Sequence, residues 1–164
     1  MGATSHMATE LFLNMAKVKM SHVPYKGGGP SFQALMSGET ALSFVDAITV
    51  APHAKAGRLR ALATSTLKRT PLMPEIPTVH ESGLPDFESV TSFGMFAPAG
   101  APRDIIGKAH REVTRALASN DVKDKLKALG VDPVGSTPEE LVTHQKQETA
   151  KWGKVIREQG IKFE

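Results

Sequence analysis

Residues 23–39 read VPYKGGGPSFQALMSGE, and this segment decides how the first half of the chain is interpreted. Three glycines follow Lys26, and Pro30 suits the first turn of a helix that we predict to run to Met36. Glycines at the beginning of a helix leave backbone N–H groups uncovered, and the helix dipole adds partial positive charge there. The segment is therefore either an anion-binding loop or a tight turn that needs left-handed backbone.

The residues around this segment predict an alternation of strands and helices. Apolar patterning and breaker residues predict helices over 5–16, 30–36 and 49–56, and strands over 19–25, 40–46 and 59–65. Asp46 stands at the end of the second of these strands. Such an alternation is typical of an α/β lobe with helices on the faces of a parallel or mixed sheet. We therefore assign residues 1–92 to one α/β domain.

The rest of the chain is predicted to be almost wholly helical. A short helical turn in IPTVHESGLP and an extended stretch over 87–97 lead to helices over 103–118, 120–129 and 137–159. The last helix begins TPEE, in which Thr137 and Glu140 form a capping box around Pro138. Trp152 is predicted on its apolar face, with Val155 and Ile156.

Composition excludes several classes of protein. The chain has 164 residues, a net charge of +3 and 5% aromatic residues, and its basic residues do not cluster, so nucleic acid is not an expected partner. It has no cysteine and no apolar run long enough for a membrane span. The beginning of the chain lacks the basic and apolar regions of a signal peptide, so we expect none within it.

The sequence contains no recognisable catalytic or metal-binding pattern. Lys26 precedes its glycines, whereas the lysine of a Walker A loop follows them. The six histidines do not occur at the spacing of zinc ligands, and no G-x-S-x-G elbow is present. We therefore expect no catalytic residue, no metal and no cofactor.

Two further positions could contribute to an anion site. Residues 2–6, GATSH, again place small residues before a predicted helix, where Thr4 or Ser5 either caps the helix or binds a ligand. Asp46 either caps the helix that follows it or faces the same cleft as the loops. Two helix N-termini in one lobe favour a shared cleft.

Longer strings of the sequence resemble one known family. HVPYKGGGPSFQALMSGE, FVDAITVAPHAKAGRLRALATST, KRTPLMPEIPTVHESGLPDFE, FGMFAPAGAP, ALGVDPVGSTPEEL and KWGKVIREQGIK resemble, in order, the substrate-binding receptors of tripartite tricarboxylate transporters, the Bug-type periplasmic proteins. GATSHMATELF is similar to the segment that precedes these strings in the family. The resemblance runs from Gly2 to Glu164 and covers only the C-terminal half of a family member.

The resemblance implies the fold of a type II periplasmic binding protein, with two α/β lobes and a ligand cleft between them. Residues 1–92 would be the second lobe. Residues 93–164 would be the crossover and the C-terminal helices that complete the first lobe, most of which is missing here. The helices over 103–118 and 137–159 would then keep apolar faces without a partner. We expect the chain to form a homodimer through them or to swap its C-terminal helices between two chains.

The resemblance also implies the function: an extracytoplasmic solute receptor, not an enzyme, that delivers a small carboxylate to membrane transporter subunits and is periplasmic in its full-length form. There are two alternatives: a sensor or interaction module derived from such a receptor, and a small α/β enzyme. Where the family often has Asp-Asn, this chain has Asp46-Ala47 and loses a side-chain amide. The positions matching the family's ligand site are Thr4, Ser5, His6, Lys26, Gly27, Gly28 and Asp46.

Overall fold

A computed structural model describes residues 2–161, and over these residues it contains six α-helices. The chain consists of two compact units. Unit 1 is the chain up to Thr91 together with the end of the chain from Lys151, and unit 2 is Ser92–Ala150. The helices are α1 (Thr4–Ala16), α2 (Gly28–Ser37), α3 (Ala47–Lys55), α4 (Arg103–Ala118), α5 (Asn120–Ala128) and α6 (Pro138–Gln159).

The ends of the helices show which of the predicted capping residues act as caps. Gly38 ends α2 with φ at 79°, a left-handed backbone that glycine adopts without steric cost. Ala3, in extended backbone, is the N-cap of α1, and no side chain caps this helix, so the capping predicted for Thr4 or Ser5 is wrong. Both residues lie inside the first turn, where a short side chain no longer reaches back to cap. Asp46 is the N-cap of α3, but its side chain makes no capping hydrogen bond.

The predicted strands are not formed in the part of the chain that the structure describes. Residues 19–25, 40–46 and 59–65 are instead irregular, apart from a single parallel bridge between Thr64 and Thr78. Around this bridge, the Thr64 amide donates to the Pro77 carbonyl at 2.9 Å, and the Ser89 amide donates to the Ser65 carbonyl at 2.8 Å. A strand needs a continuous ladder of such bonds to a neighbour, and these segments make only isolated ones.

One helical turn is present between the prolines at 77 and 85, as the sequence predicts. The Ser82 amide donates to the Thr78 carbonyl at 3.0 Å. Thr78 and Glu81 close this turn reciprocally, because the Thr78 amide donates to Glu81 Oε2 at 2.8 Å and the Glu81 amide donates to Thr78 Oγ1 at 3.0 Å. The bond from the Thr78 amide, and then the bond from the Arg69 side chain, hold the pKa of Glu81 below its usual value.

The core of unit 1 forms around Phe87, which is completely buried. Its ring stacks on Phe44, with ring centroids 5.9 Å apart, and meets the edge of Phe12 at 6.4 Å. The end of α6 joins this core through Trp152, Val155 and Ile156, the residues predicted to share its apolar face. The buried members of the cluster are Met7, Leu11, Val79, Phe87 and Val155.

Unit 2 contains α4, α5 and the first part of α6. The capping box is confirmed, because the Thr137 amide donates to Glu140 Oε2 at 2.8 Å and the Glu140 amide donates to Thr137 Oγ1 at 3.2 Å. Neither α4 nor α5 has a buried residue. Phe93, Met95 and Phe96 are 87%, 71% and 65% exposed, so much of the apolar surface of this unit remains open to solvent.

We predict that Phe87→Ala lowers the free energy of unfolding of unit 1 by about 3–5 kcal/mol, because it leaves a cavity under α1 and α6. Phe93→Ala is the matched control, since it removes the same ring from an exposed site, and we expect a change within about 0.5 kcal/mol. Urea unfolding monitored by the fluorescence of Trp152 measures both. Equal effects of the two substitutions would contradict this assignment of the core.

Candidate functional site

The first predicted loop lies at the beginning of α1. The amides of Thr4, Ser5 and His6 fall in the first turn, where a helix offers them no carbonyl acceptor. The first regular bond of the helix runs from the Met7 amide to the Ala3 carbonyl at 3.0 Å. This end of α1 therefore presents up to three backbone donors together with the positive end of the helix dipole.

His6 is held by protein groups on all sides. It is 8% exposed, and the Gly2 amide donates to its Nδ1 at 3.2 Å. Its Nε2 lies 3.6 Å from Glu10 Oε1, and its ring lies against His22 with centroids 4.2 Å apart. Burial, and then the nearby charge of His22, lower the pKa of His6. Both ring nitrogens thus face protein atoms.

The second predicted loop lies at the beginning of α2. Gly27 has φ at 102°, a conformation that strains any other residue, and its amide donates to the Tyr25 carbonyl at 3.0 Å. The amides of Gly28 and Gly29 lie in the first turn of the helix, and a Cβ on either residue would meet nothing within 4 Å. The turn interpretation is therefore confirmed at Gly27, and anion binding by the next two glycines stays a prediction.

Lys26 and Asp46 are both exposed. Among the described residues, neither forms an ion pair or a side-chain hydrogen bond. Asp46 precedes α3, whose first regular bonds are those from the Thr49 and Val50 amides to the Asp46 carbonyl. The structure therefore places Asp46 beside a third helix N-terminus.

Ring contacts in unit 1 connect the elements that carry these residues. His6 on α1 contacts His22, which lies four residues before Lys26 in the approach to α2. Phe32 on α2 meets His53 on α3, with centroids 4.9 Å apart. The structure thus links the first loop to the approach of the second, whereas Asp46 has no side-chain bond to either loop among the residues described.

Sequence reasoning missed Glu10 and His22, the two residues that hold the His6 side chain. Glu10 could have been found, because four residues separate it from His6 and that spacing places both on one face of a helix. His22 carries no such signal. Its contact with His6 depends on how the chain returns after α1.

A shallow groove lies elsewhere in unit 1, at the end of α3. It has a volume of about 240 Å³, and its lining includes the charged residues Lys55, Arg60 and Glu75. It contains none of the residues that the sequence assigns to the site. Its other lining residues are Ala54, Leu59, Ala61, Met73 and Ile76.

Two other kinds of site are absent from residues 2–161. Nowhere in this range do three or more histidine, aspartate or glutamate side chains gather in a way that could hold a metal ion. No helix in the same range combines the length and the apolar character that crossing a membrane requires.

Curated relatives align with nearly the whole chain. A UPF0065 protein from the tcbD–tcbE intergenic region of a Pseudomonas species is 38% identical over 96% of this chain and 47% of its own length. Protein BugT of Bordetella pertussis is 34% identical over 99% of this chain and 50% of its own length. The chain thus spans about half the length of these two relatives. A UPF0065 protein from the clcB–clcD intergenic region of Pseudomonas knackmussii is 34% identical, and the alignment covers 95% of this chain and 93% of that protein.

Solved structures share the fold. An R. palustris protein with adipate is 36% identical and superposes with a TM-score of 0.84 over 98% of this chain and 54% of its own. MatC from Rhodopseudomonas palustris with bound malate is 32% identical, with a TM-score of 0.78 over 94% of this chain and 54% of its own. The periplasmic binding protein BugD is 28% identical, with a TM-score of 0.81 over 98% of this chain and 55% of its own.

The resemblance noted in the sequence is therefore confirmed by a family model as well as by single proteins. The model described as tripartite tricarboxylate transporter family receptor matches residues 1–161. This match covers nearly all of the chain, including both loops and all six helices. The chain belongs to the family of tripartite tricarboxylate transporter receptors.

Proposed function

We propose that this chain binds small carboxylates as part of a periplasmic receptor that serves a tripartite tricarboxylate transporter. The observation that carries the proposal is the pair of helix N-termini in unit 1, at α1 and α2, whose first-turn amides have no acceptor within the helix. The adipate and malate in two related structures are dicarboxylates, which fit such donors.

The glycines of the second loop support this function. Gly27 requires its left-handed backbone, but nothing packs where a Cβ of Gly28 or Gly29 would lie. Packing therefore does not account for glycine at these two positions. A role in ligand binding does account for glycine there, because a side chain would shield the backbone amide from a carboxylate oxygen of the ligand.

Thr4, Ser5, Lys26 and Asp46 have distinct proposed roles in the same site. The hydroxyls of Thr4 and Ser5 lie in the first turn of α1 and can add hydrogen bonds beside the amides. Lys26 is exposed and unpaired among the described residues, so it can add positive charge to the approach of an anion. Asp46 is suited to accept a hydrogen bond from a ligand hydroxyl, a ligand amine or an ordered water.

We predict weak binding by the chain alone, at millimolar rather than micromolar concentration, because one lobe supplies only part of the contacts and desolvation of a closed cleft. In a ¹H–¹⁵N titration at neutral pH, adipate and malate should shift the amides of Thr4, Ser5, Gly28 and Gly29. Adipamide, a neutral molecule of nearly the same shape, should not. Shifts of equal size with adipamide, or no shift with either acid, would contradict the proposal.

A matched pair of glycine variants separates the site from general stability. Gly27→Ala and Gly57→Ala both force alanine into left-handed backbone, with φ at 102° and 69°, and neither Cβ meets another atom within 4 Å. Each should cost about 1–2 kcal/mol of stability. We expect Gly27→Ala to reduce the adipate shifts at least several-fold and Gly57→Ala to preserve them. Equal responses of the two variants would exclude the second loop from the site.

We also propose how the chain relates to a whole receptor. Residues 1–92 correspond to the second lobe of a type II periplasmic binding protein, and residues 93–164 to the crossover and the helices that complete the first. The boundary between units 1 and 2 after Thr91 supports this division. The end of α6 belongs with unit 1, however, so its last turns support the second lobe as well.

We propose a receptor role without catalysis, because the family is one of solute-binding receptors and its member BugD is a periplasmic binding protein. Membrane subunits of the transporter are then the partners of the whole protein. We also propose a second copy of the chain as a partner. An exposed apolar surface promotes association, and unit 2 exposes Phe93, Met95 and Phe96. Ile105 on α4 and Val142 on α6 add to the exposed apolar surface of unit 2.

For the dimer we predict a mass by light scattering that rises with concentration above the 17.6 kDa of one chain. The double variant Phe93→Ser with Met95→Ser should remain monomeric at concentrations where the wild type associates. Val134→Ser removes one isolated exposed apolar residue of the same unit and serves as the control, which should behave as the wild type. A wild-type mass of one chain at all concentrations would refute the homodimer.

A further inference from the structure

The His6 side chain makes three contacts, two with residues four positions away along the chain and one with His22 in the segment after α1. Its Nδ1 accepts a hydrogen bond from the Gly2 amide at 3.2 Å, which folds the first loop back onto α1. Its ring lies 4.2 Å from that of His22, centroid to centroid, and His22 belongs to the segment that leads into the second loop. Glu10, one turn further along α1, lies 3.6 Å from Nε2.

We propose that His6 is a positioning residue, which fixes the first loop through the Gly2 amide and couples it to the second loop through His22. This proposal rests on the carboxylate-binding function and assigns His6 a role other than direct contact with the ligand. With both ring nitrogens turned to protein atoms and 8% of the residue exposed, the His6 side chain orders the donors of Thr4 and Ser5 and does not itself contact the ligand.

The positioning role requires a neutral ring. Nδ1 accepts the Gly2 bond only while it carries a lone pair, which places the proton of the neutral ring on Nε2, the side of Glu10. Protonation would turn Nδ1 into a donor facing the Gly2 N–H and would break that bond. It would also place two cationic rings against each other when His22 is charged, which is unfavourable.

The charged groups that act on His6 come from its own helix and from its surroundings. Among the described residues they are Glu10 on α1 and His22 in the approach to α2. Burial, the largest effect, and the charge of His22 lower the pKa of His6 from its ordinary value of 6.5, and Glu10 opposes them. The unfolded chain therefore binds the proton more readily, and stability decreases as the pH falls from 6.5 through the lower pKa of the folded state.

The test follows two signals through a pH titration of the intact chain. One is the His6 ring resonance, which reports protonation, and the other is the set of amide resonances of Gly2, Gly28 and Gly29. We expect His6 to titrate below 6.5, and we expect the amides of both loops to shift with the same midpoint. Amides that stay constant while His6 titrates would overturn the proposal.

Two substitutions should move the pKa of His6 in opposite directions, and a third serves as the control. His22→Phe keeps a ring against His6 but removes its charge, so the pKa of His6 should rise. Glu10→Gln removes the opposing charge, so the pKa should fall further. His144→Gln, in unit 2, is the control and should leave it unchanged. A His6 pKa that does not respond to His22→Phe would overturn the role of His22.

A further variant tests the coupling itself, and adipate serves as the probe. His22→Ala removes the ring contact and should uncouple the Gly28 and Gly29 amides from His6 protonation, while the Gly2 amide still responds. In the wild type and in His144→Gln, the adipate shifts of Gly28 and Gly29 should weaken several-fold as the pH falls through the His6 midpoint, and in His22→Ala this weakening should be much smaller. If adipate shifts no amide at any pH, the proposed carboxylate binding is refuted. The coupling of the two loops is still tested in that case, because the amides respond to His6 protonation without ligand.

Discussion

Burial of Phe87 is the constraint on which the rest of unit 1 depends. The ring has no exposed surface and is enclosed by α1, by the segment before α3 and by the end of α6, which are distant in sequence. The Asn14 side chain also donates to Glu158 Oε2 at 2.9 Å, joining α1 and α6 at their surface. Because α1 is fixed by this core, its first turn is held in place, and so are the amides of the first loop. The first loop is thus an extension of a packed helix.

Elements with local signals could be predicted from the sequence, and elements with distant partners could not. The bounds of α4 agree residue for residue and those of α6 to within one residue, because apolar periodicity and the Thr137–Glu140 box are properties of consecutive residues. The predicted strands depended on neighbours elsewhere in the chain. Thr64 finds such a neighbour in Thr78, but the residues around it do not extend the ladder. The strand predicted over 59–65 is therefore reduced to one isolated bridge.

The same distinction separates the parts of the candidate site. The glycines of the second loop indicated both the turn and the open amides, since each follows from the absence of a side chain. At the first loop, capping by Thr4 or Ser5 was wrong because α1 begins one residue earlier than predicted and Ala3 takes the cap position. The enclosure of His6 depends on His22, which reaches it only after the chain has returned from α1. No spacing rule covers a contact of that kind.

The backbone donors that we propose have a consequence for specificity. A peptide N–H recognises a carboxylate oxygen but is indifferent to the rest of the molecule, so one scaffold can serve acids as different as adipate and malate, the molecules found with two relatives. In the proposed site, discrimination comes from side chains, and the carboxylate that we propose for it, that of Asp46, disfavours a second negative charge and favours a hydroxyl or an amine. Replacing side chains around an unchanged backbone arrangement is therefore the physically simplest way for such a site to change its ligand.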